Sequence, residues 1–370
     1  MASTSDLAPD APRRALLVGL SLPGQPPGVV EDHLDELAEL TTSAGVEVAG
    51  RAVQARRAPH ARTFIGSGKA EELGTAAGSL AADVVIFDDD LTASQVRQLE
   101  DIMDRQVLDR SGLILEIFQQ RAASREARTQ VELARLRYLL PRLTRRWGHL
   151  SRQVGGIGVR GGEGETQLEA DRRMLRQRIG RLEKDLAKIE RTRDLHRRGR
   201  RHANLVALAG YTNAGKSTLF NRLTHAGVRT ENRLFATLDA KLKRTVLADG
   251  RAVVFADTVG FIRKLPHHLV ASFRSTLAGI RDADVVLHVV DRSHPQWREH
   301  LAVGKEVLAD LGVDEASTLV VYNKIDRLPN GLLAPEAVAL SAATGEGLDS
   351  LDEALRARFD ARHGPLLAAS

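Results

Sequence analysis

The chain has 370 residues, 53 basic and 48 acidic side chains, a formal net charge of +5 and no cysteine. This length is typical of two or three domains. The absence of cysteine excludes a disulfide scaffold, a thiolate zinc site and a cysteine nucleophile, and it fits a reducing compartment. No apolar run reaches the ~18–20 residues that an integral membrane segment needs. We therefore expect a cytoplasmic protein, with peripheral attachment at a membrane as the alternative.

The N-terminal third shows alternating strand and helix patterns. Residues 1–13 lack the charged start and apolar stretch of a secretory signal, and we expect them to form a disordered lead. Strands that alternate with helices predict a small parallel α/β domain over residues 14–110. The predicted strands are 15–20, 46–53 and 83–90, with a helix over 29–40.

The basic charge is concentrated in the middle of the chain. Residues 121–202 carry 23 basic and 10 acidic side chains, a net of +13, whereas the rest carries 30 and 38, a net of −8. This concentration indicates a polyanionic partner, RNA or DNA first and anionic lipid second. An arginine-rich, solvated helix face is the alternative that charge alone leaves open.

Apolar residues in the same region recur with heptad-like spacing. Two stripes, at 133–147 and 175–189, flank a glycine-rich run at 155–165. Two striped helices joined by one loop predict an antiparallel helical hairpin over residues 111–202. Pro141 is expected to kink the first helix, and Arg160 is expected to lie in the tip loop, 155–165.

Residues 203–363 return to an α/β pattern, followed by a short tail, 364–370. The Asp249-Gly250 pair predicts a hairpin turn between two strands within 245–257. The predicted fold class is therefore α/β: a P-loop domain preceded by a small α/β domain and a helical hairpin. Its other predicted strands are 204–210, 285–290, 318–323 and 337–342.

A phosphate-loop motif follows the first of these strands. Residues 210–217 read GYTNAGKS, which fits G-x-x-x-x-G-K-[S/T] between a strand and a helical run. Gly210 and Gly215 let backbone N–H groups turn towards phosphate oxygens, and Lys216 supplies a cation at the β- and γ-phosphates. The Ser217 hydroxyl is a suitable oxygen ligand for Mg²⁺, and Asn213 can overhang the γ-phosphate.

Three further motifs occur in the order that a GTPase requires. DTVG (257–260) ends a strand, so Asp257 can reach the magnesium shell through water and the Gly260 N–H can approach the γ-phosphate. In NKID (323–326), the Asp326 carboxylate can accept hydrogen bonds from guanine N1–H and the exocyclic amine, donors that adenine lacks. The SAA run (341–343) offers backbone groups to the guanine carbonyl.

Thr237 is the candidate for the last magnesium ligand. It lies between the phosphate loop and the next strand, where a threonine can close onto Mg²⁺ and the γ-phosphate when GTP is bound. A solvated loop threonine is the alternative. We assign catalytic contributions to Lys216, Thr237 and Gly260.

These motifs resemble the translation-factor-related class of P-loop GTPases. Longer strings, among them RTFIGSGKAEEL (62–73), VLDRSGLILEIFQQRA (107–122) and GGIGVRGGEGETQLEADRR (155–173), resemble the HflX family of ribosome-associated GTPases. The resemblance covers about residues 14–360. It implies that the protein binds GTP or GDP with Mg²⁺, binds the large ribosomal subunit and its RNA, and splits idle or stalled ribosomes. We expect the protein to be a monomer.

The family's nucleotide contacts can be placed on this sequence motif by motif. The expected GTP-binding residues are Gly210, Tyr211, Thr212, Asn213, Ala214, Gly215, Lys216, Ser217, Thr218, Phe235, Ala236, Thr237, Leu238, Asp239, Asp257, Thr258, Val259, Gly260, Asn323, Lys324, Ile325, Asp326, Ser341, Ala342 and Ala343. The glycine loop departs from the family pattern, because RGGEGETQ has one residue more than usual and lacks a proline.

Two other functions are compatible with the same motifs. One is an RNA-modification GTPase with an inserted helical domain, which the missing cysteines disfavour. The other is a GTP-gated RNA-binding module with incidental hydrolysis. GSGK (66–69) lacks the full phosphate-loop spacing and predicts a turn before a helix, with contact to a second nucleotide as the alternative.

Overall fold

The computed structural model describes residues 13–143, 164–198, 204–227, 234–235, 237–264, 279–328 and 338–363. The chain divides into two compact units. One comprises Met1–Gln120 and Val131–Glu183, and the other comprises Arg121–Gln130 and Lys184–Ser370. None of the helices in the described ranges is long and apolar enough to cross a membrane.

The first unit contains a four-stranded, all-parallel sheet in the order β2-β1-β3-β4, so the predicted parallel α/β domain is confirmed. All four residues of β3 are buried, as expected of a strand covered on both faces. Its strands are β1 Arg14–Ser21, β2 Glu47–Ala55, β3 Val84–Phe87 and β4 Gln106–Asp109. Its helices are α1 Val29–Ser43, α2 Ser67–Ser79, α3 Ala93–Met103 and α4 Arg110–Arg121.

Two helices from the basic part of the chain follow. Helix α5 (Arg125–Leu139) and helix α6 (Gly164–Arg198) are joined by ion pairs, 2.7 Å from Arg137 Nη2 to Glu183 Oε1 and 2.7 Å from Arg178 Nε to Glu132 Oε1. Pro141 does not bend α5. The α-helix ends at Leu139 and a 3₁₀ turn carries the proline, which has no N–H for the helical ladder.

The glycine-rich tip lies largely outside the described residues. Residues 144–163, including Trp147 and Arg160, are not described. The sequence placed 164–165 in the loop, but α6 already begins at Gly164. Helix starts accept glycine readily, so this boundary could not be taken from composition.

The second unit is built on a six-stranded sheet in the order β10-β9-β8-β5-β7-β6. Val206, Phe220 and Phe255 lie in its core. Its strands are β5 Asn204–Gly210, β6 Lys241–Val246, β7 Ala252–Asp257, β8 Val285–Asp291, β9 Thr318–Asn323 and β10 Val338–Ala339, and its helices are α7 Lys216–Thr224, α8 Trp297–Asp310 and α9 Leu348–His363.

Candidate nucleotide-binding site

The loop between β5 and α7 has the shape of an anion cradle. Gly210 and Gly215 have φ values of +141° and +93°, a region that L side chains rarely adopt. A Cβ at Gly210 would lie 2.2 Å from the Val289 carbonyl oxygen, and one at Gly215 would lie 2.2 Å from Asn323 Nδ2. Glycine is therefore required at both ends, and the loop leads into the N-terminus of α7, where free N–H groups favour an anion.

Lys216 is buried at the floor of this loop. Its ammonium donates hydrogen bonds to the carbonyl oxygens of Gly210 (3.0 Å) and Tyr211 (2.7 Å). Burial lowers the pKa of Lys216 to about 8, while Asp257 acts in the opposite direction. A buried cation that is held by neutral carbonyl groups has a strong electrostatic preference for an anionic ligand.

Three oxygen atoms from separate segments converge beside Lys216. Ser217 Oγ lies 2.7 Å from Asp257 Oδ2 and 2.9 Å from Thr237 Oγ1, and Thr237 Oγ1 lies 3.1 Å from the same carboxylate oxygen. Asp257 Oδ1 is buried and has no hydrogen-bond partner among the described residues. Burial raises the pKa of Asp257 despite these hydrogen bonds.

This donor set fits a hard divalent cation. Two hydroxyl oxygens and one carboxylate with an orphaned oxygen match the oxygen-rich coordination of Mg²⁺, which keeps several waters and reaches carboxylates through them. The described part of the chain contains no cluster of three or more His, Cys, Asp or Glu side chains suited to a metal. A site completed by nucleotide phosphates does not need such a cluster.

The segment after β7 lies against the phosphate loop. The Phe261 N–H donates to the Gly210 carbonyl (2.9 Å), and the Thr212 N–H donates to the Phe261 carbonyl (2.7 Å). A Cβ on Gly260 would lie 2.8 Å from both the Cα and Cγ2 of Thr212 and 3.0 Å from Lys216 Nζ. Gly260 is therefore the residue that lets this segment approach the phosphate loop.

A cavity of about 600 Å³ extends from the phosphate loop to the ends of β8 and β9. The Asn323 side chain ties its walls together, donating to the Ala214 carbonyl (2.8 Å) and accepting from the Ala342 N–H (2.9 Å). Lys324 Nζ lies 2.6 Å from Asp291 Oδ2, which holds the lysine at the cavity wall. Asp326 is exposed and lines the same cavity. The volume is in the range of small-ligand pockets.

Five lining residues were not predicted from the sequence: Asp291, Ser293, His294, Pro295 and Arg327. The first four lie at or just after the end of β8, which lies between β5 and β9 in the sheet, and Arg327 follows β9. The carboxyl ends of parallel strands are where ligands bind in open α/β sheets, and this rule could have identified them.

Several predicted contact residues have buried side chains with structural partners. Thr258 Oγ1 donates to the Leu208 carbonyl (2.6 Å), and Phe235, Leu238 and Val259 are buried. At these positions only backbone groups could contact a nucleotide. The Asp239 carboxylate instead accepts hydrogen bonds from Ala123 and Ser124. Ala236 lies outside the described residues.

Most of the remaining predicted residues line the cavity. Asn213, Gly215, Thr218, Ala342 and Ala343 line the cavity. Ser341 is buried, and its hydroxyl accepts from the Thr344 N–H at 3.1 Å. Ile325 begins the 3₁₀ turn Ile325–Arg327. Tyr211 stacks on His300, with ring centroids 3.8 Å apart, and its hydroxyl accepts from the Arg263 N–H at 2.9 Å.

The GSGK sequence belongs to the other unit and begins helix α2. Lys69 forms an ion pair with Glu72 across one helical turn. The predicted turn at 66–69 is therefore wrong for Ser67–Lys69, which form the first turn of α2 itself, and only Gly66 precedes the helix.

Three family models match successive parts of the chain. They are described as GTP-binding GTPase N-terminal (residues 31–119), GTP-binding GTPase middle region (121–200) and 50S ribosome-binding GTPase (205–324). A GTPase HflX of Magnetococcus marinus is 48% identical, over 94% of this chain and 82% of its own length. A GTPase HflX of Escherichia coli is 47% identical, over 89% and 79%. A solved GTP-binding protein of Sulfolobus solfataricus in complex with GDP is 23% identical over 94% of this chain and 98% of its own, with a TM-score of 0.48.

Proposed function

The chain belongs to the HflX family of GTPases and hydrolyses GTP, and from that premise we propose that it binds the large ribosomal subunit and splits idle or stalled ribosomes. In this proposal the GTP-bound form is active, and hydrolysis to GDP releases the protein. It acts in the cytoplasm as a monomer.

One observation carries the proposal: a GTPase site and a strongly basic segment lie in the same chain. Residues 121–202 have a net charge of +13. The described part of α5 and α6 exposes many of these arginines, including Arg173 and Arg176 on α6. Such a surface suits RNA phosphates, and the third matching family model is described as a ribosome-binding GTPase.

The site residues supply the nucleotide chemistry. The phosphate loop and Lys216 would hold the β- and γ-phosphates, while Ser217, Thr237 and, through water, Asp257 would hold Mg²⁺. Bound there, the ion would neutralise charge on the phosphates. Thr237 and the Gly260 N–H would contact the γ-phosphate, which GDP lacks. GTP would therefore fix the segments that carry these two residues, and GDP would not.

The decisive experiment is sedimentation of intact ribosomes with the protein and a non-hydrolysable GTP analogue. We expect separated subunits, with the protein on the large one. Intact ribosomes in every nucleotide state would contradict the proposal. Protein that binds RNA without splitting ribosomes would favour the GTP-gated RNA-binding module instead.

A base-switched variant provides a matched control. Asp326→Asn should split ribosomes with a xanthosine triphosphate analogue and fail with the guanosine analogue. This result would show that the activity depends on this cavity, and it would exclude a contaminating GTPase as its source.

A further inference from the structure

The Asp239 carboxylate is bound by the loop that precedes α5. Its Oδ2 accepts hydrogen bonds from the backbone N–H groups of Ala123 and Ser124, both at 3.0 Å. The Ser124 hydroxyl donates to Oδ1 of the same carboxylate. All three residues belong to the unit that contains the nucleotide site.

This arrangement is a specific receptor for a carboxylate. Two successive N–H groups at the start of a helix form a concave anion site, and the helix dipole adds to it. The Ser124 hydroxyl also accepts from the Ala127 N–H (3.0 Å), so it caps α5 while it binds Asp239. Asp239, two residues after the proposed magnesium ligand Thr237, therefore completes the first turn of a helix that lies more than 100 residues away in the sequence.

The chain between the two contacts is short. Thr237 touches Ser217 and Asp257 at the cation site, and only Leu238 separates it from Asp239. Leu238 is buried, with 2% of its surface exposed. Two residues span at most ~7 Å of extended chain, so Thr237 cannot move far while Asp239 stays bound to the loop.

We infer that Asp239 is a positioning residue that couples the γ-phosphate to the first turn of α5. GTP fixes Thr237, the fixed segment holds Asp239 in the 122–124 loop, and that loop orders the start of the basic helical region. By linkage, an ordered α5 start also raises affinity for GTP and leaves affinity for GDP unchanged, because GDP does not engage Thr237. The inference rests on the proposed switch role of Thr237.

The test measures the affinities of the full-length protein for a non-hydrolysable GTP analogue and for GDP. Asp239→Ala should weaken binding of the analogue about fivefold or more and change GDP affinity less than about twofold. Asp239→Asn, which keeps the shape of the side chain and loses its charge, should give an intermediate loss. An unchanged ratio of the two affinities in Asp239→Ala would overturn the inference.

Matched variants separate coupling from a general structural effect. Ser124→Ala should lower the ratio, whereas Ser124→Thr, which retains the hydroxyl, should preserve it. Two controls should leave it unchanged: Thr129→Ala, one turn further along α5, and Asp310→Asn at the exposed end of α8.

Hydrogen exchange provides the readout at the loop itself. The amides of Ala123 and Ser124 should exchange more slowly with the GTP analogue than with GDP, and Asp239→Ala should remove that difference. Equal exchange in both nucleotide states of the parent would overturn the inference. No ribosome enters either assay, so a failure of ribosome splitting would leave these results standing.

Discussion

Asp326 lines the cavity together with Asn323 and Lys324, whose side chains are fixed by the phosphate loop and by Asp291. We predict that Asp326→Asn weakens GTP binding by about 1.5–3 kcal/mol or more, because a charged acceptor for the guanine N–H groups is lost. The variant should gain affinity for xanthosine nucleotides, whose second carbonyl accepts from the new amide. Titration with GTP, XTP and ATP checks this, and a variant that binds GTP as the parent does would contradict it.

Phe261 follows Gly260, where many GTPases have a glutamine that orients the attacking water. Its exposed fraction is only 1%, and its backbone is paired with the phosphate loop. Truncation to alanine would therefore leave a core cavity worth about 3–5 kcal/mol of unfolding free energy, so it is a poor probe of catalysis. This burial could not be predicted from the sequence alone.

We predict that Phe261→Leu, which keeps most of the apolar volume, changes kcat by less than about threefold. Such substitutions usually cost under about 1.5 kcal/mol of unfolding free energy, so the variant should stay folded for the measurement. Phe261→Gln should not accelerate hydrolysis, because a side chain at this buried position is shielded from the attacking water. Single-turnover phosphate release measures both. A Gln variant faster than the parent by an order of magnitude would show that this side chain faces the γ-phosphate.

Strand β8 and helix α8 enclose a buried histidine. His288 has no exposed surface, and neither ring nitrogen has a hydrogen-bond partner within the described ranges. Gly304 of α8 packs on it so closely that a Cβ there would lie 2.1 Å from Nε2. Burial lowers the pKa of His288 to about 4, with Lys216 a smaller cause.

This burial predicts acid sensitivity of the second unit. The unfolded chain takes up the proton near pH 6.5, whereas the folded chain resists it until about pH 4. The contribution of His288 to the free energy of unfolding is therefore fully present above pH 6.5. It falls by about 3 kcal/mol as the pH is lowered from 6.5 to about 4. His288→Leu should flatten that slope. Denaturant titration at several pH values, in a Trp147→Phe background and followed by the fluorescence of Trp297, measures this slope. His225→Asn, at an exposed position, is the control. Equal slopes in the parent and in His288→Leu would refute the prediction.

Elements with strong local signals were predictable, and those defined by tertiary packing were not. The β6–β7 hairpin follows from Asp249-Gly250, and the phosphate loop follows from Gly210, Gly215 and Lys216, because turns and phosphate cradles demand particular residues. Strand β4 was missed because its four residues show no alternation and depend on the neighbouring β3.

The candidate site also has a part that could be predicted from the sequence and a part that could not. The motif residues Ser217 and Asp257 could be expected to lie together because metal and phosphate chemistry restricts the residue types, and their side chains are hydrogen-bonded. The Asp239 contact could not be predicted, since it joins positions more than 100 residues apart through backbone N–H groups that carry no sequence signal.

At the scale of the whole molecule, the basic segment and the GTPase site should be separable. We predict that deleting residues 155–165 abolishes ribosome splitting and leaves GTP affinity within about twofold, because phosphate contacts and the nucleotide site use different residues. Sedimentation and nucleotide titration of one preparation measure both. Removal of residues 364–370 is the control, and splitting that survives the first deletion would remove the tip from the mechanism.

The residues of the candidate site suit nucleotide binding better than they suit catalysis of hydrolysis. The described part of the chain provides the phosphate-loop motif, the proposed cation ligands and the cavity that Asp326 lines, whereas Phe261 is buried and Arg263 is paired with Glu299 at 3.1 Å. His267 and His268, which neighbour the motif in sequence, lie outside the described residues. We therefore expect strong GTP binding and slow hydrolysis by the isolated protein.

A partner that orders Thr237, or that places a group in trans, would complete such a site. We predict that large ribosomal subunits raise kcat by about 10-fold or more, as partner-supplied groups do in other GTPases. Because the contact would rest on RNA phosphates, the stimulation should fall steeply as salt is raised, whereas basal turnover should change little. Steady-state phosphate release with and without subunits, at low and high salt, measures both. Fast turnover in the isolated protein, unaffected by subunits, would mean that the chain already contains a complete catalytic group.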